Sequence, residues 1–155
     1  MIEIERKYLV RSDAYRNEAK AQKAMEQGFL NTHPDRTVRV RIMGDKGFLT
    51  VKGRSNSSGT TRFEWEREIP LQEAKALLLL CEEGVIQKIR FYVPKGKHVF
   101  EVDEFQGANK GLTVAEVELQ SETEAFEVPE WLGAEVTGDV RYYNSHLSKQ
   151  PFATW

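Results

Sequence analysis

Alternating apolar and charged residues dominate the chain, and a period of two residues is typical of β-strands with one apolar and one polar face. In the first ten residues, Glu3, Glu5 and Lys7 share one face of such a strand. Further alternating segments occupy residues 36–42, 48–54, 61–69, 85–93, 98–105 and 112–120. Glycine-containing turns at 43–47 and 94–97 join two pairs of these segments into hairpins. The pattern predicts an antiparallel α+β sheet or a closed barrel of about eight strands.

The segments without this alternation predict helices. A first helix is predicted over residues 13–27, with Ser12 as its N-cap and Gly28 at its C-terminal end. A second helix is predicted over residues 71–84, and it too ends at a glycine. Two further short helices, joined by a turn, are predicted at residues 121–133 and 137–149. The apolar outer face of a barrel would need the two longer helices as cover.

Length and composition indicate a single domain over residues 1–155 and make several function classes unfavourable. The 22 basic and 24 acidic residues nearly cancel, which argues against nucleic-acid binding through a basic surface. Cys81 is the only cysteine, so a disulfide framework is excluded and a reducing compartment fits. The longest apolar run, from Ala76 to Cys81, is far shorter than the roughly 20 residues that span a bilayer. We therefore expect a soluble, cytoplasmic protein with no nucleic-acid or membrane partner.

The charged faces of the strands are unusual because most strands carry charges of a single sign. The basic pairs are Arg39 and Arg41, Lys52 and Arg54, and Lys88 and Arg90. The acidic pairs are Glu3 and Glu5, Glu64 and Glu66, Glu101 and Asp103, and Glu116 and Glu118. Two like charges ~7 Å apart repel by about 0.6 kcal/mol in water but by roughly 2.4 kcal/mol at an effective dielectric constant near 20. The pattern is therefore tolerable on a solvated outer face, whereas inside a barrel it requires bound counter-ions.

A metal-bound polyphosphate would satisfy the charges of both signs if they faced inward. Mg²⁺ or Mn²⁺ takes carboxylate oxygens as ligands, and arginine and lysine side chains match phosphate oxygens. A barrel of about eight strands is just wide enough for one small ligand. The alternation alone leaves both placements open, the ligand-binding interior and the ordinary solvated surface.

The order of the charged segments resembles that of the CYTH, or triphosphate tunnel metalloenzyme, family. The stretch EIERKYLV is similar to the ExExK signature of this family. The resemblance continues through RVR at 39–41, TVK at 50–52, EWE at 64–66, KIR at 88–90, EVD at 101–103, EVE at 116–118 and DVRYYN at 139–144. It therefore covers nearly the whole chain. It implies an α+β fold with an eight-stranded antiparallel closed barrel, a charged tunnel lumen and helices on the outside.

The same resemblance implies roles for the charged residues. The substrate-binding residues would be Lys7, Arg39, Arg41, Lys52, Arg54, Arg62, Lys88 and Arg90. The ligands of Mg²⁺ or Mn²⁺ would be Glu3, Glu5, Glu64, Glu66, Asp103, Glu116 and Glu118, with Glu101 ranked below Asp103. Glu5, Lys52 and Glu66 are the expected catalytic residues. We also consider that Asp139 and Arg141 pair with lumen groups and hold a C-terminal helix over one mouth of the tunnel, against the alternative that Asp139 only compensates a helix dipole.

The expected function is metal-dependent hydrolysis of a triphosphate-containing small molecule. Inorganic tripolyphosphate is favoured, with nucleoside or thiamine triphosphates as further substrates. One alternative is an adenylate cyclase that makes cyclic AMP from ATP, and another is a polyphosphate-binding module without catalysis. The absence of a base-reading motif favours hydrolysis, and the complete set of charged pairs favours catalysis. The oligomeric state stays open, a homodimer included.

Overall fold

The computed structural model describes all 155 residues, which form nine β-strands and three short α-helices. The strands are β1 (Ile2–Val10), β2 (Ala21–Asn31), β3 (Thr37–Met43), β4 (Lys46–Lys52), β5 (Thr61–Ile69), β6 (Ile86–Lys95), β7 (His98–Phe105), β8 (Thr113–Glu118) and β9 (Leu132–Glu135). The helices are α1 (Tyr15–Glu18), α2 (Leu71–Leu78) and α3 (Asn144–Leu147). No helix combines the length and the apolar composition that crossing a bilayer requires.

Eight of the strands close into an antiparallel barrel. The strand order is β5-β4-β3-β2-β6-β7-β8-β1, and β1 then pairs with β5 to complete the circle. Three residue pairs make this closure, from Ile2 opposite Phe63 to Ile4 opposite Thr61. The rest of β1 pairs with β8, and β9 adds to the end of β1. The predicted eight-stranded closed barrel is confirmed, and β9 is an additional strand outside it.

Both predicted hairpins are present and use a glycine in the left-handed region. Met43 pairs with Lys46 across one turn, where Gly44 has a φ of 63°. The β6–β7 turn has the same form, with Gly96 at a φ of 60°. The second residue of each turn, Asp45 or Lys97, has a negative φ, since only glycines have a positive φ in this structure. A glycine of positive φ at the first central position is the arrangement of a type II′ turn, which matches the twist of paired strands.

The first predicted helix is wrong over most of its length. Only α1 is helical, it begins after Ala14 rather than at a Ser12 cap, and the following residues form β2 between β3 and β6. Gly28 lies inside β2 instead of ending a helix. A Cβ atom at this position would lie 2.8 Å from the Cβ of Cys81, so the glycine allows the chain after α2 to approach the strand closely.

The other predicted helices are shorter than expected. The second begins at Leu71 as predicted, but it ends at Leu78 rather than at Gly84. Of the two C-terminal helices, α3 lies within the second predicted segment, whereas residues 121–133 contain no helix and lead into β9. Helices therefore cover less of the sheet than the sequence predicted.

The larger apolar cluster lies on the outer face of the barrel, opposite the charged side chains. Phe100 of β7 and Tyr15 of α1 meet Trp131 edge to face, with ring centroids 5.6 and 5.8 Å from the indole. Such aromatic pairs contribute about 0.5–1.5 kcal/mol each beyond their buried area. The cover over β1, β6, β7 and β8 is therefore α1 and the irregular segment before β9, instead of a second long helix.

A second apolar cluster closes one end of the barrel from within. Phe29, Phe105 and Val114 lie on the inward faces of their strands, as their pairing with Arg39, Lys88 and Asp103 shows. Tyr142 and Leu147 from the C-terminal segment pack against them. This segment, residues 139–149, therefore plugs one mouth of the barrel.

Candidate active site

The charged faces of the strands line a cavity of about 210 Å³ inside the barrel. Its wall includes Glu3, Glu5, Lys7, Arg39, Arg41, Lys52, Arg62, Glu64, Glu66, Lys88, Arg90, Glu101, Glu116 and Glu118. All members of the charged pairs except Arg54 and Asp103 therefore line the lumen, and the alternative of a solvated outer face is wrong.

Opposite signs occupy opposite walls of this lumen. Three of the four acidic pairs come from β8, β1 and β5, which are consecutive in the closed sheet, and the fourth, Glu101 and Asp103, lies on β7 beside the basic strand β6. The main basic pairs come from β3 and β6, which flank β2 on the other side. Lys52 of β4 lies at the boundary, where its Nζ donates a hydrogen bond to Glu3 at 3.1 Å and lies 3.3 Å from Glu64. The lumen is thus polarised across its width.

Two of the predicted site residues do not line the cavity. Arg54 follows the end of β4, pairs with Asp35 and lines a separate surface pocket. Asp103 is 1% exposed and lies behind two basic residues. Its carboxylate accepts hydrogen bonds from Nε and Nη2 of Arg90 at 2.7 and 2.8 Å, and from Nζ of Lys88 at 2.7 Å. Glu101, which was ranked lower, reaches the cavity and accepts from Nη1 of Arg90 at 3.0 Å.

The basic wall holds more buried positive charge than its carboxylates compensate. Burial, together with the nearby charges of Arg90 and Arg41, lowers the pKa of Lys88 to about 7 against the opposing effect of Asp103. Burial, with Arg39 and Arg90 as neighbours, lowers the pKa of Arg41 to about 9. A bound anion would reverse these shifts, because an opposite charge favours the protonated form.

The acidic wall shows the converse imbalance at Glu5. Burial, followed by the charges of Glu116 and Glu3, raises the pKa of Glu5 well above its usual value. Burial would also raise the pKa of Glu116, but Lys7, Arg90 and Lys88 hold it well below the usual range. Glu5 is therefore the carboxyl group of this wall with the greatest need for a cation.

The residues of this wall fit a divalent cation that binds together with its substrate. No three acidic or histidine side chains already converge on one point as a preformed cage. Mg²⁺ does not require one, since it is usually held by one or two carboxylates together with waters and substrate phosphates. Glu5, with Glu3 and Glu116 beside it, offers oxygen ligands of this kind.

Sequence reasoning missed several uncharged residues that contact the site. Thr50 accepts a hydrogen bond from Nη2 of Arg39 at 3.1 Å and donates one to Glu66 at 2.6 Å. Alternation along TVK places Thr50 on the face of Lys52, so this signal was present in the sequence. The other missed residues are Gln27 and Phe29 of β2, Thr37 of β3, and Tyr143, Asn144 and Ser145 of the C-terminal segment.

The C-terminal segment does not reach the lumen through the residues that were suggested. Arg141 donates to Asp139 from Nη2 at 2.7 Å, and Asp139 caps the short turn that follows it. Their suggested pairing with lumen groups is therefore wrong. Tyr143 takes part instead, since its ring centroid lies 5.1 Å from Nζ of Lys7 and 5.7 Å from the guanidinium of Arg62.

Comparison with known proteins places this geometry in a family. A family model for the CYTH domain matches residues 1–147. The chain is 48% identical over 151 residues to an inorganic triphosphatase of Acetivibrio thermocellus, covering 97% of this chain and 95% of that protein. It is 35% identical over 153 residues to an inorganic triphosphatase of Nitrosomonas europaea, covering 96% and 97% of the two chains.

Solved structures agree with this assignment. The crystal structure of an inorganic triphosphatase superposes with a TM-score of 0.65 at 32% identity, covering 94% of this chain and 97% of the other. A protein from Pyrococcus horikoshii, 19% identical, has a TM-score of 0.63 over 78% of this chain and 80% of its own, and shows similarity of fold alone. Since the family model spans nearly the full length and both curated relatives exceed 30% identity, this chain belongs to the CYTH family.

Proposed function

We propose that this protein is a metal-dependent triphosphatase that hydrolyses inorganic tripolyphosphate. The polarised lumen carries the proposal, because a basic wall for phosphates faces an acidic wall for a cation across one cavity of the closed barrel. The names of the two curated relatives, both inorganic triphosphatases that align over nearly the whole chain, support it.

In this proposal the basic wall binds and orients the triphosphate. Arg39, Arg41, Lys88 and Arg90 donate to phosphate oxygens, with Lys7 and Arg62 nearer the plugged end. Thr50 and Glu66 orient Arg39, and Asp103 orients Lys88 and Arg90. Phosphoryl transfer depends mainly on such positioning and on charge stabilisation. The metal role predicted for Asp103 competes with the three hydrogen bonds that it already accepts.

The acidic wall would hold the metal through Glu3, Glu5 and Glu116, with Glu64, Glu66 and Glu118 as neighbours. A bound Mg²⁺ or Mn²⁺ supplies neutralisation of phosphate charge and a water of lowered pKa. Lys52 lies between the two walls, so its ammonium group is placed to donate to a terminal phosphate oxygen when Glu3 and Glu64 turn to the cation.

Tripolyphosphate should be turned over with a higher kcat/KM than ATP, and its products should be orthophosphate and pyrophosphate. The physical reason is that the cavity wall is almost entirely charged or polar. Its two aromatic residues are already engaged, Phe29 in the apolar cluster and Tyr143 against Lys7 and Arg62. Phosphate release and cyclic AMP should be measured on one purified sample with each substrate. Cyclic AMP as the main product from ATP would replace the proposal with a cyclase. Thermal stabilisation by tripolyphosphate without any turnover would replace it with a binding module.

Turnover should require an added divalent ion and should disappear in excess chelator. Ca²⁺ should inhibit rather than support activity, because its larger and more variable coordination shell misplaces the attacking water. A titration of Mg²⁺, Mn²⁺ and Ca²⁺ at fixed tripolyphosphate tests this. Full activity in excess chelator would reject a metal role for the acidic wall.

The compartment and the oligomeric state stay predictions. Cys81 is a free thiol, which agrees with a reducing compartment such as the cytoplasm. A homodimer remains one of the alternatives for the assembled protein.

A further inference from the structure

Two uncharged amide side chains connect the basic residues of β3 and β6. Gln27 accepts a hydrogen bond at Oε1 from Nε of Arg41 at 2.8 Å. Its Nε2 donates to Oδ1 of Asn144 at 2.8 Å. The same Oδ1 atom accepts from Nζ of Lys88 at 3.0 Å. An unbroken series of hydrogen bonds therefore runs from Arg41 through Gln27 and Asn144 to Lys88.

The two ends of this series determine how both amides are oriented. Arginine and protonated lysine only donate, so each end must face an amide oxygen. With Oε1 of Gln27 turned to Arg41, its Nε2 can only face an acceptor, which is Oδ1 of Asn144. Reversing either amide would bring two donors together. The arrangement is self-consistent in one orientation only.

Arg41 depends on this series more than the other cations do. Arg90 has Asp103 and Glu101 as ion-pair partners, and Arg39 has Glu66. Arg41 forms no ion pair, and its side chain is held by Gln27, which is completely buried. A neutral acceptor orients the guanidinium group without neutralising it, so its charge stays available for a phosphate.

We propose that Gln27 and Asn144 are positioning residues that form a neutral bridge and fix Arg41 and Lys88 for binding of the triphosphate. Asn144 belongs to the C-terminal segment, so the bridge also makes the geometry of two phosphate-binding residues depend on docking of the plug. This inference rests on the proposed function, because it assigns Arg41 and Lys88 to phosphate binding.

The test compares Gln27→Met, Asn144→Ala and the double variant with tripolyphosphate and Mg²⁺. Each single change should raise KM about tenfold and change kcat by less than about threefold, on the scale of one lost hydrogen bond to a charged group. The double variant should raise KM by well under the roughly 100-fold expected for independent effects, because both changes interrupt one series. Should Gln27→Met not fold, Asn144→Ala at its partly exposed position still gives the KM shift.

Asn109→Ala provides a matched control. Asn109 is a buried asparagine whose Oδ1 accepts a hydrogen bond from the backbone N–H of Phe152 at 2.8 Å. This bond holds the chain beyond the plug without contacting the lumen. Its loss should lower the melting temperature and leave KM unchanged.

Two results would overturn the inference. One is an unchanged KM in Gln27→Met and Asn144→Ala with a loss of melting temperature like that of Asn109→Ala, which would make the bridge purely structural. The other is a multiplicative rise in KM in the double variant. If the wild-type protein does not hydrolyse tripolyphosphate, the proposed function fails independently of this inference. The same variants are then compared by the Kd for tripolyphosphate, measured by calorimetry.

Discussion

Glu5→Gln should reduce turnover by two or more orders of magnitude and leave the ligand-free protein as stable as the wild type or more stable. The loss of turnover follows from removing a charge that the metal requires, on the scale typical of lost metal or electrostatic catalysis. The gain in stability follows from burial and from Glu116 and Glu3, which raise the pKa of Glu5 well above its usual value. Glutamine keeps the shape of the side chain without the charge.

The pH dependence of this effect has a definite sign. A carboxyl group whose folded-state pKa exceeds its unfolded value contributes stability below the unfolded pKa and loses it as the pH rises through the folded pKa. The melting temperature of Glu5→Gln minus that of the wild type should therefore increase as the pH increases. Stabilisation by Mg²⁺ with tripolyphosphate should shrink in the variant.

The control for this experiment is Glu73→Gln on the exposed face of α2, which should change stability by no more than about 0.5 kcal/mol and leave turnover alone. Near-normal turnover in Glu5→Gln would contradict the placement of β1 in the metal-binding wall.

Asp103→Asn should lower the free energy of unfolding by about 3–5 kcal/mol, the scale of a broken buried ion pair. The change leaves Arg90 charged, buried and short of an acceptor, and it turns an amide donor toward both basic residues. It also removes the carboxylate that favours the protonated form of Lys88. Although burial alone would raise the pKa of Asp103, Arg90 and Lys88 hold it below the usual value. The stabilisation is therefore present above the unfolded pKa and lost as the pH falls through the folded one.

Denaturant unfolding of metal-free Asp103→Asn at neutral pH measures this loss, with the exposed pair of Asp139 and Arg141 as comparison. Asp139→Asn should cost no more than about 1 kcal/mol. The same experiment separates the two roles of Asp103. Unchanged metal-free stability combined with weaker activation by Mg²⁺ would favour the metal-ligand role over the positioning of Lys88 and Arg90.

Strands whose charged positions share one sign could be recognised from the sequence, because alternation with a period of two directly records the two faces of a strand. β2 could not. Its stretch AQKAMEQ is rich in residues with high helix propensity, and one inward position is the neutral Gln27. Pairing with both β3 and β6 overrides that propensity, and this pairing is a long-range property.

The charged lining of the lumen was predictable from the same alternation. The ion-pair and hydrogen-bond partners of the lining residues were not. Arg90 lies directly opposite Asp103, whereas Glu101 lies opposite Glu116. Strand register therefore decides that Asp103 is enclosed by Arg90 and Lys88 while Glu101, which also pairs with Arg90, still reaches the cavity. Arg54 was placed by extending the alternation past Lys52, where β4 ends and the side chain is no longer constrained. Asn144 enters from a segment far along the chain, which no local pattern reports.

The closure of the barrel through β1 has a consequence for synthesis of the chain. β1 carries Glu3, Glu5 and Lys7, yet its partner strands end as late as Glu118 in β8 and Glu135 in β9. During synthesis β1 is made before all of its partner strands, so it stays unpaired on one side or both until those later strands have been made. Charged side chains on such a waiting edge discourage pairing with other nascent chains. The carboxylates of β1 that the proposed function assigns to the metal ion would thus also protect the incomplete chain against aggregation.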